Sequence, residues 1–188
     1  MAEIYRIGSD DLVDRVSTFG GTNLARSSDY DIFGADTYNT KTNVTFLGNN
    51  KIKIDAGGKL GRSNTNYTQL PIIVPSLNKK SNWHFFVYEN TLNEICKFQV
   101  GIQYSSAGSG LTSINIPVNG TGLYIKSATY DNIYGIYISL IDASSATSGY
   151  IILGPLKYEI GTKPTDWTPC PYDLVTYNST NSQLVFFQ

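Results

Sequence analysis

From about residue 42 onward the chain alternates apolar and polar residues with a period of two, and clusters of turn-forming residues break the alternation at short intervals. Such a pattern suits strands with one buried face and does not suit helices, whose apolar positions recur every three or four residues. The runs predict strands at Thr42–Leu47, Lys51–Asp55, Tyr67–Val74, Trp83–Tyr88, Lys97–Tyr104, Thr112–Val118, Gly122–Lys126, Ile133–Ile141 and Tyr150–Glu159. Between them lie Gly48-Asn49-Asn50, Gly57-Gly58, Asn78–Asn82, Ser105–Gly110, Asn119-Gly120 and Ser144–Gly149, each read as a turn. Asn119-Gly120 signals a hairpin, because both residues tolerate positive φ. Pro117 cannot donate to a ladder and places its strand at an edge.

Composition agrees. Asn, Ser and Thr supply 52 of the 188 residues, joined by 17 Gly and 14 Tyr, while helix formers are scarce. Strands recurring without intervening helices predict an all-β fold, an antiparallel two-sheet sandwich. One helix signal stands apart, at the start: Ser9 can cap, Asp10 and Asp11 suit a helix N-terminus, Leu12, Val13 and Val16 share a side, and Gly20-Gly21 ends it. The expected organisation is a short helix or arm over 1–20, a domain over 21–173, and a tail or strand over 174–188.

Fourteen basic and fifteen acidic residues nearly cancel, which leaves no basic footprint for nucleic acid. No apolar run reaches the length of a membrane span, and no signal peptide is read at the start. Cys96 and Cys170 lack metal-ligand spacing; two separate thiols and a mutual disulfide both stay open.

In three runs the alternation predicts which side faces inward. Phe98, Val100, Ile102 and Tyr104 form one inward set, Tyr134, Ile136, Ile138 and Leu140 a second, and Trp83, Phe85 and Val87 a third. The outward residues His84, Phe86, Tyr88, Gln99, Gln103 and Tyr137 combine rings with amides, which suits a saccharide if their strands are neighbours in one sheet. Flat rings meet the C–H faces of a sugar, and amides reach its hydroxyls. The other reading is that these rings are covered by a loop, the N-terminal arm or another subunit.

The stretch Gly154-Pro-Leu-Lys-Tyr-Glu-Ile-Gly-Thr-Lys-Pro-Thr-Asp-Trp-Thr-Pro-Cys-Pro-Tyr-Asp173 resembles the end of carbohydrate-binding-module-like jelly-roll domains. These are common in tail fibres, baseplates and other minor structural proteins of bacteriophages. In them a closing strand runs into K-x-E-x-G and then an A/P-T-D-W-T-P segment. Thr22-Asn23-Leu24-Ala25 is similar to their T-N-L-L opening, so the resemblance spans roughly 21–173. Cys170, Tyr172 and Ile160 depart from the pattern. In physical terms, Gly161 lets the chain turn off the last strand, Pro164 and Pro169 stiffen the segment beyond it, and Trp167 lies across an open end of the sandwich.

Catalysis finds little support in the sequence. His84 is the only histidine, there is no G-x-S-x-G elbow, and the scarce Glu89, Glu94 and Glu159 have no distinctive context. Gly57-Gly58-Lys59-Leu60-Gly61 lacks phosphate-loop spacing, and the sequons at Asn43, Asn66, Asn119 and Asn178 are expected by chance. Asp29-Tyr30-Asp31, with Asp36 nearby, offers oxygen ligands of the type calcium prefers. Domains of the resembled kind often hold a structural calcium, but the D-x-[DN]-x-[DN]-G loop is absent, and a solvated acidic turn is the alternative. No other cofactor is expected.

The expectation is therefore a non-enzymatic virion structural protein of a bacteriophage, in a tail fibre, baseplate or other receptor-binding part. Its jelly roll binds host cell-surface polysaccharide, with other virion proteins and copies of itself as partners and no membrane insertion. One alternative is a tail or head scaffold or decoration protein that uses the same face for assembly; another is a bacterial carbohydrate-binding module from a larger enzyme.

Overall fold

The computed structural model describes residues 23, 25, 30, 38–62, 81–103, 109–127, 135–161, 163–168, 175–178 and 183–186. Every element assigned among them is a β-strand: β1 (Thr40–Gly48), β2 (Lys51–Gly61), β3 (Ser81–Asn90), β4 (Cys96–Gln103), β5 (Ser109–Ile116), β6 (Gly122–Ser127), β7 (Gly135–Asp142), β8 (Tyr150–Leu153), β9 (Lys157–Ile160), β10 (Val175–Asn178) and β11 (Gln183–Phe186). The first nine form one antiparallel sheet, and β10 and β11 pair with each other. The expected helix over 1–20, the expected strand Tyr67–Val74, and Asp29, Asp31 and Cys170 lie outside the described residues.

The sheet runs β5-β4-β7-β2-β8-β3-β6, with β1 beside β2 and β9 beside β3. It does not lie flat. Four strand steps separate β4 from β3, which in a flat sheet is roughly 19 Å. Yet the Phe85 and Phe98 rings stack with centroids 3.8 Å apart. The sheet therefore curls until two arms face each other. Trp83 stacks on Phe85 and Phe98, and Tyr124 stacks on Phe85. Each phenylalanine so buried contributes about 1.5–3 kcal/mol relative to an exposed one.

Two devices turn the corner. The first is in the β1–β2 hairpin, where Thr42 pairs with Lys59 and Val44 with Ile54, so Asn43 alone stands opposite residues 55–58. Asn43 and Gly57 both take positive φ (51° and 76°), and Asn43 Nδ2 donates to the Ala56 carbonyl. Gly57-Gly58, expected as a turn between elements, is a bulge inside one long strand, and bulges bend strands. The second is the path of 135–160. β7 pairs with the second half of β2, β8 with its first half and with the end of β3, and β9 with the start of β3. The single strand expected over Tyr150–Glu159 is broken at 154–156.

The Asn119-Gly120 turn forms, with Asn119 at φ 58° and the Gly120 N–H donating to the Pro117 carbonyl at 2.9 Å. The expected hairpin does not. β5 pairs with β4 and β6 with β3, so the turn links the two ends of the strand order across the arms. Lys126 Nζ also crosses there, donating to the Ser113 carbonyl. β5 lies at the edge, as Pro117 predicts.

Most inward residues follow the alternation. Trp83, Phe85, Val87, Phe98, Val100, Ile102, Ile136 and Ile138 all join the core. Leu140 does not: the ladder steps from Val100↔Ile138 to Gln99↔Leu140, leaving Ser139 as a bulge. That extra residue reverses the facing, and Ile141 is buried in its place. Cys96 is a free thiol in this core, and burial pushes its pKa up to about 12.

Candidate functional site

On β9 the apolar Tyr158 points inward and its hydroxyl meets Ser81 Oγ. Alternation then turns Lys157 and Glu159 to the outer face, where charged residues are ordinarily hydrated. Both are buried instead, at 1% and 0% exposure. Gly161, at φ 128°, reverses the chain, and residues 163–168 return as a strap across the outer side of β9 and β3.

One residue of the strap is held on every polar atom. The Thr165 N–H donates to Glu159 Oε1 at 2.7 Å and its hydroxyl to Oε2 at 2.6 Å. Lys157 Nζ donates to Thr165 Oγ1 at 2.6 Å and to the Asp166 carbonyl, and stands 3.5 Å from Glu159 Oε2. The Thr165 carbonyl meets His84 Nε2 at 3.1 Å. One carboxylate thus balances one ammonium, with hydrogen bonds completing both, which is the condition under which buried charges are tolerated. Burial lowers the Lys157 pKa, against the opposing pull of Glu159.

His84 closes the cluster from β3. Its Nδ1 lies 2.8 Å from Asn82 Oδ1 and 3.7 Å from Glu159 Oε1. Asn82 is oriented by its own Nδ2, which donates to the Gly161 carbonyl. Burial lowers the His84 pKa; the Thr165 carbonyl and Glu159 oppose the shift, and Lys157 adds to it.

The opening and ending segments that carry the family resemblance meet in space. Asn23, fully buried, donates through Nδ2 to the carbonyls of Thr168 (2.8 Å) and Leu156 (3.4 Å). Its Oδ1 accepts from the N–H groups of Ala25 and Tyr158. Trp167 Nε1 donates to the same Leu156 carbonyl, so Trp167 lies along the outside of the 154–157 segment. The sequence placed it across an open end of the sandwich.

Between the strap and the outer face of β3 opens a cleft of about 420 Å³. Phe86, Tyr88, Trp167, Pro155 and Pro164 line it, Leu123 borders it from β6, and Asp166 sits in the strap wall. The Phe86 and Tyr88 rings are 4.9 Å apart, and they remain 42% and 46% exposed. Gly154 runs beneath Tyr88; a Cβ there would stand 3.2 Å from the ring.

The six residues expected to share one face are divided by the curl. His84, Phe86 and Tyr88 lie together on the outer side of β3, although His84 is sealed under the strap at 4% exposure. Gln99 and Tyr137 lie on the outer side of the opposite arm. Tyr137 is itself covered, its ring resting on Gly101 where a Cβ would be 2.1 Å away. Gln103 pairs at the end of β4, with its side chain outside the described residues. Tyr30, between the two aspartates considered for calcium, is a core residue whose hydroxyl reaches the Gly154 carbonyl. Sequence reasoning did not assign the clamp residues Asn82, Lys157, Glu159 and Thr165, nor Asp166; K-x-E followed by P-T-D-W was the available signal.

No protein-family model matches the chain, and no curated protein matches it.

Proposed function

We propose that this chain is a jelly-roll β-sandwich from a bacteriophage particle, in a tail fibre, baseplate or other receptor-binding part, and that it holds host cell-surface saccharide without cleaving it. The observation that carries the reading is the cleft, where two half-exposed rings of a strand face a tryptophan on a clamped strap. Rigid rings beneath and polar groups at the rim are what a sugar requires. The viral setting rests on the K-x-E-x-G and P-T-D-W-T-P resemblance, whose residues are the ones that build the strap. A binding role suits the carboxylates of the site, since Glu159 is committed through both oxygens to Thr165 and leaves Asp166 without an acidic partner for bond cleavage among the described residues of the lining. Several copies on one particle would turn weak single sites into strong attachment.

A glycan array followed by calorimetry tests this. The wild type binds a bacterial surface glycan, and Phe86→Ala or Trp167→Ala weakens binding at least tenfold without unfolding the protein. Absence of any glycan binding would overturn it.

A second reading, assembly with another virion subunit, is favoured by Leu123 and Ile125 on β6, which extend the apolar surface beside Phe86 at 48% and 43% exposure. Loss of particle assembly on Ile125→Lys, together with no glycan binding by the wild type, would select it.

A further inference from the structure

We propose that the cleft selects saccharides carrying an ammonium group over neutral or acidic ones. This rests on the saccharide reading above and adds the charge of the ligand.

The cleft lining contains one lysine, and it is spent. Lys157 is 1% exposed, with its ammonium bound to Thr165 Oγ1 and the Asp166 carbonyl and balanced by Glu159. Glu159, at 0% exposure, is likewise closed off by Thr165. These two charges cancel beneath the surface. Asp166 differs: its backbone carbonyl serves the clamp, but the residue is exposed and its carboxylate makes no hydrogen bond or ion pair among the described residues. The one charge of the lining that no hydrogen bond or ion pair holds is therefore negative: Asp166 adds its pull to that of Glu159 on the Lys157 ammonium, and it shares the lining with Phe86, Tyr88 and Trp167. Ring faces attract cations, most strongly where water is excluded. Tyr88 already holds such a cation, Lys51 Nζ 4.0 Å from its ring centroid, so Phe86 and Trp167 are the rings left to the ammonium of a ligand. A cationic sugar would gain both the rings and the carboxylate, whereas a uronic acid would meet like charge at the same rim.

The test compares a neutral and a cationic oligosaccharide that share a skeleton, with an acidic oligosaccharide of another skeleton beside them. Calorimetry at mildly acidic pH, where the amines of the deacetylated chain are protonated, measures N-acetylated chito-oligosaccharide, its fully deacetylated counterpart and an oligogalacturonate. The deacetylated form should bind at least about tenfold tighter than the acetylated one, with the acidic one weakest, and Asp166→Asn should abolish most of that preference. Competition by free choline would show that an ammonium on rings suffices; failure of choline, with the preference retained, would place the ammonium on the sugar. Glycan binding with equal affinity for the neutral and cationic forms, or preference for the acidic one, overturns this inference and leaves the saccharide reading standing. Absence of binding to all three and to the glycan array overturns both.

Discussion

Glu159 grips Thr165 with both carboxylate oxygens, one taking the backbone N–H at 2.7 Å and the other the hydroxyl at 2.6 Å. A strand residue and a strap residue six positions apart are thereby locked together, and Lys157 is neutralised at the same point.

Removing that carboxylate strands the lysine. Glu159→Gln leaves a buried ammonium without its counter-charge, a change that typically costs about 3–5 kcal/mol. Urea unfolding should show a loss of that size. Thr165→Val, which deletes the hydroxyl but keeps the N–H, should cost only about 1–2 kcal/mol.

The single histidine gives stability a definite pH dependence. Burial holds the folded-state pKa of His84 below its ordinary value, so the unfolded chain binds the proton more readily. A second cation would join Lys157 in a site with one carboxylate. Stability therefore carries no His84 penalty above about pH 6.5 and declines as the pH falls through the window between the unfolded and the lowered folded pKa. Urea midpoints at neutral and mildly acidic pH should diverge for the wild type and diverge less for His84→Gln. Identical slopes would contradict the burial of His84 under the strap.

The outer side of the other arm is sealed by a ring on a glycine. A Cβ at Gly101 would stand 2.1 Å from the Tyr137 ring, so Gly101→Ala must expel that ring and should destabilise by about 1–3 kcal/mol. In Tyr137→Ala the same substitution should cost far less, and a double-mutant cycle measures the difference.

The curl itself is testable through its stacked pair. Phe85 and Phe98 lie on strands that do not pair, and their centroids are 3.8 Å apart. Phe98→Ala should cost about 3–5 kcal/mol, with a coupling to Phe85 of about 0.5–1.5 kcal/mol beyond area loss. Additive single effects would mean that the two arms do not face each other.

Much of this fold is legible in the alternation. Trp83, Phe85, Val87, Phe98, Val100 and Ile102 face inward because strand period alone decides side, and the expected turns other than Gly57-Gly58 fall near the observed strand ends. What alternation lacks is strand order. It cannot say that β3 and β4 sit in opposing arms, so it grouped Phe86 and Tyr88 with Gln99 and Tyr137, which the curl separates. Nor does it register a one-residue bulge, which exchanges Leu140 for Ile141. The clamp was hidden for another reason: His84 and Thr165 are 81 positions apart, and a charged residue on a strand reads as solvated until its cover is known.

The central claim is that the strap and the outer side of β3 together hold the ligand. The most direct measurement is fluorine NMR of protein labelled at Trp83 and Trp167 during titration with a glycan that binds. Trp167, in the cleft wall, should shift in a saturable way, while Trp83, in the core, stays in place. Saturable binding that leaves the Trp167 signal unmoved would contradict the account.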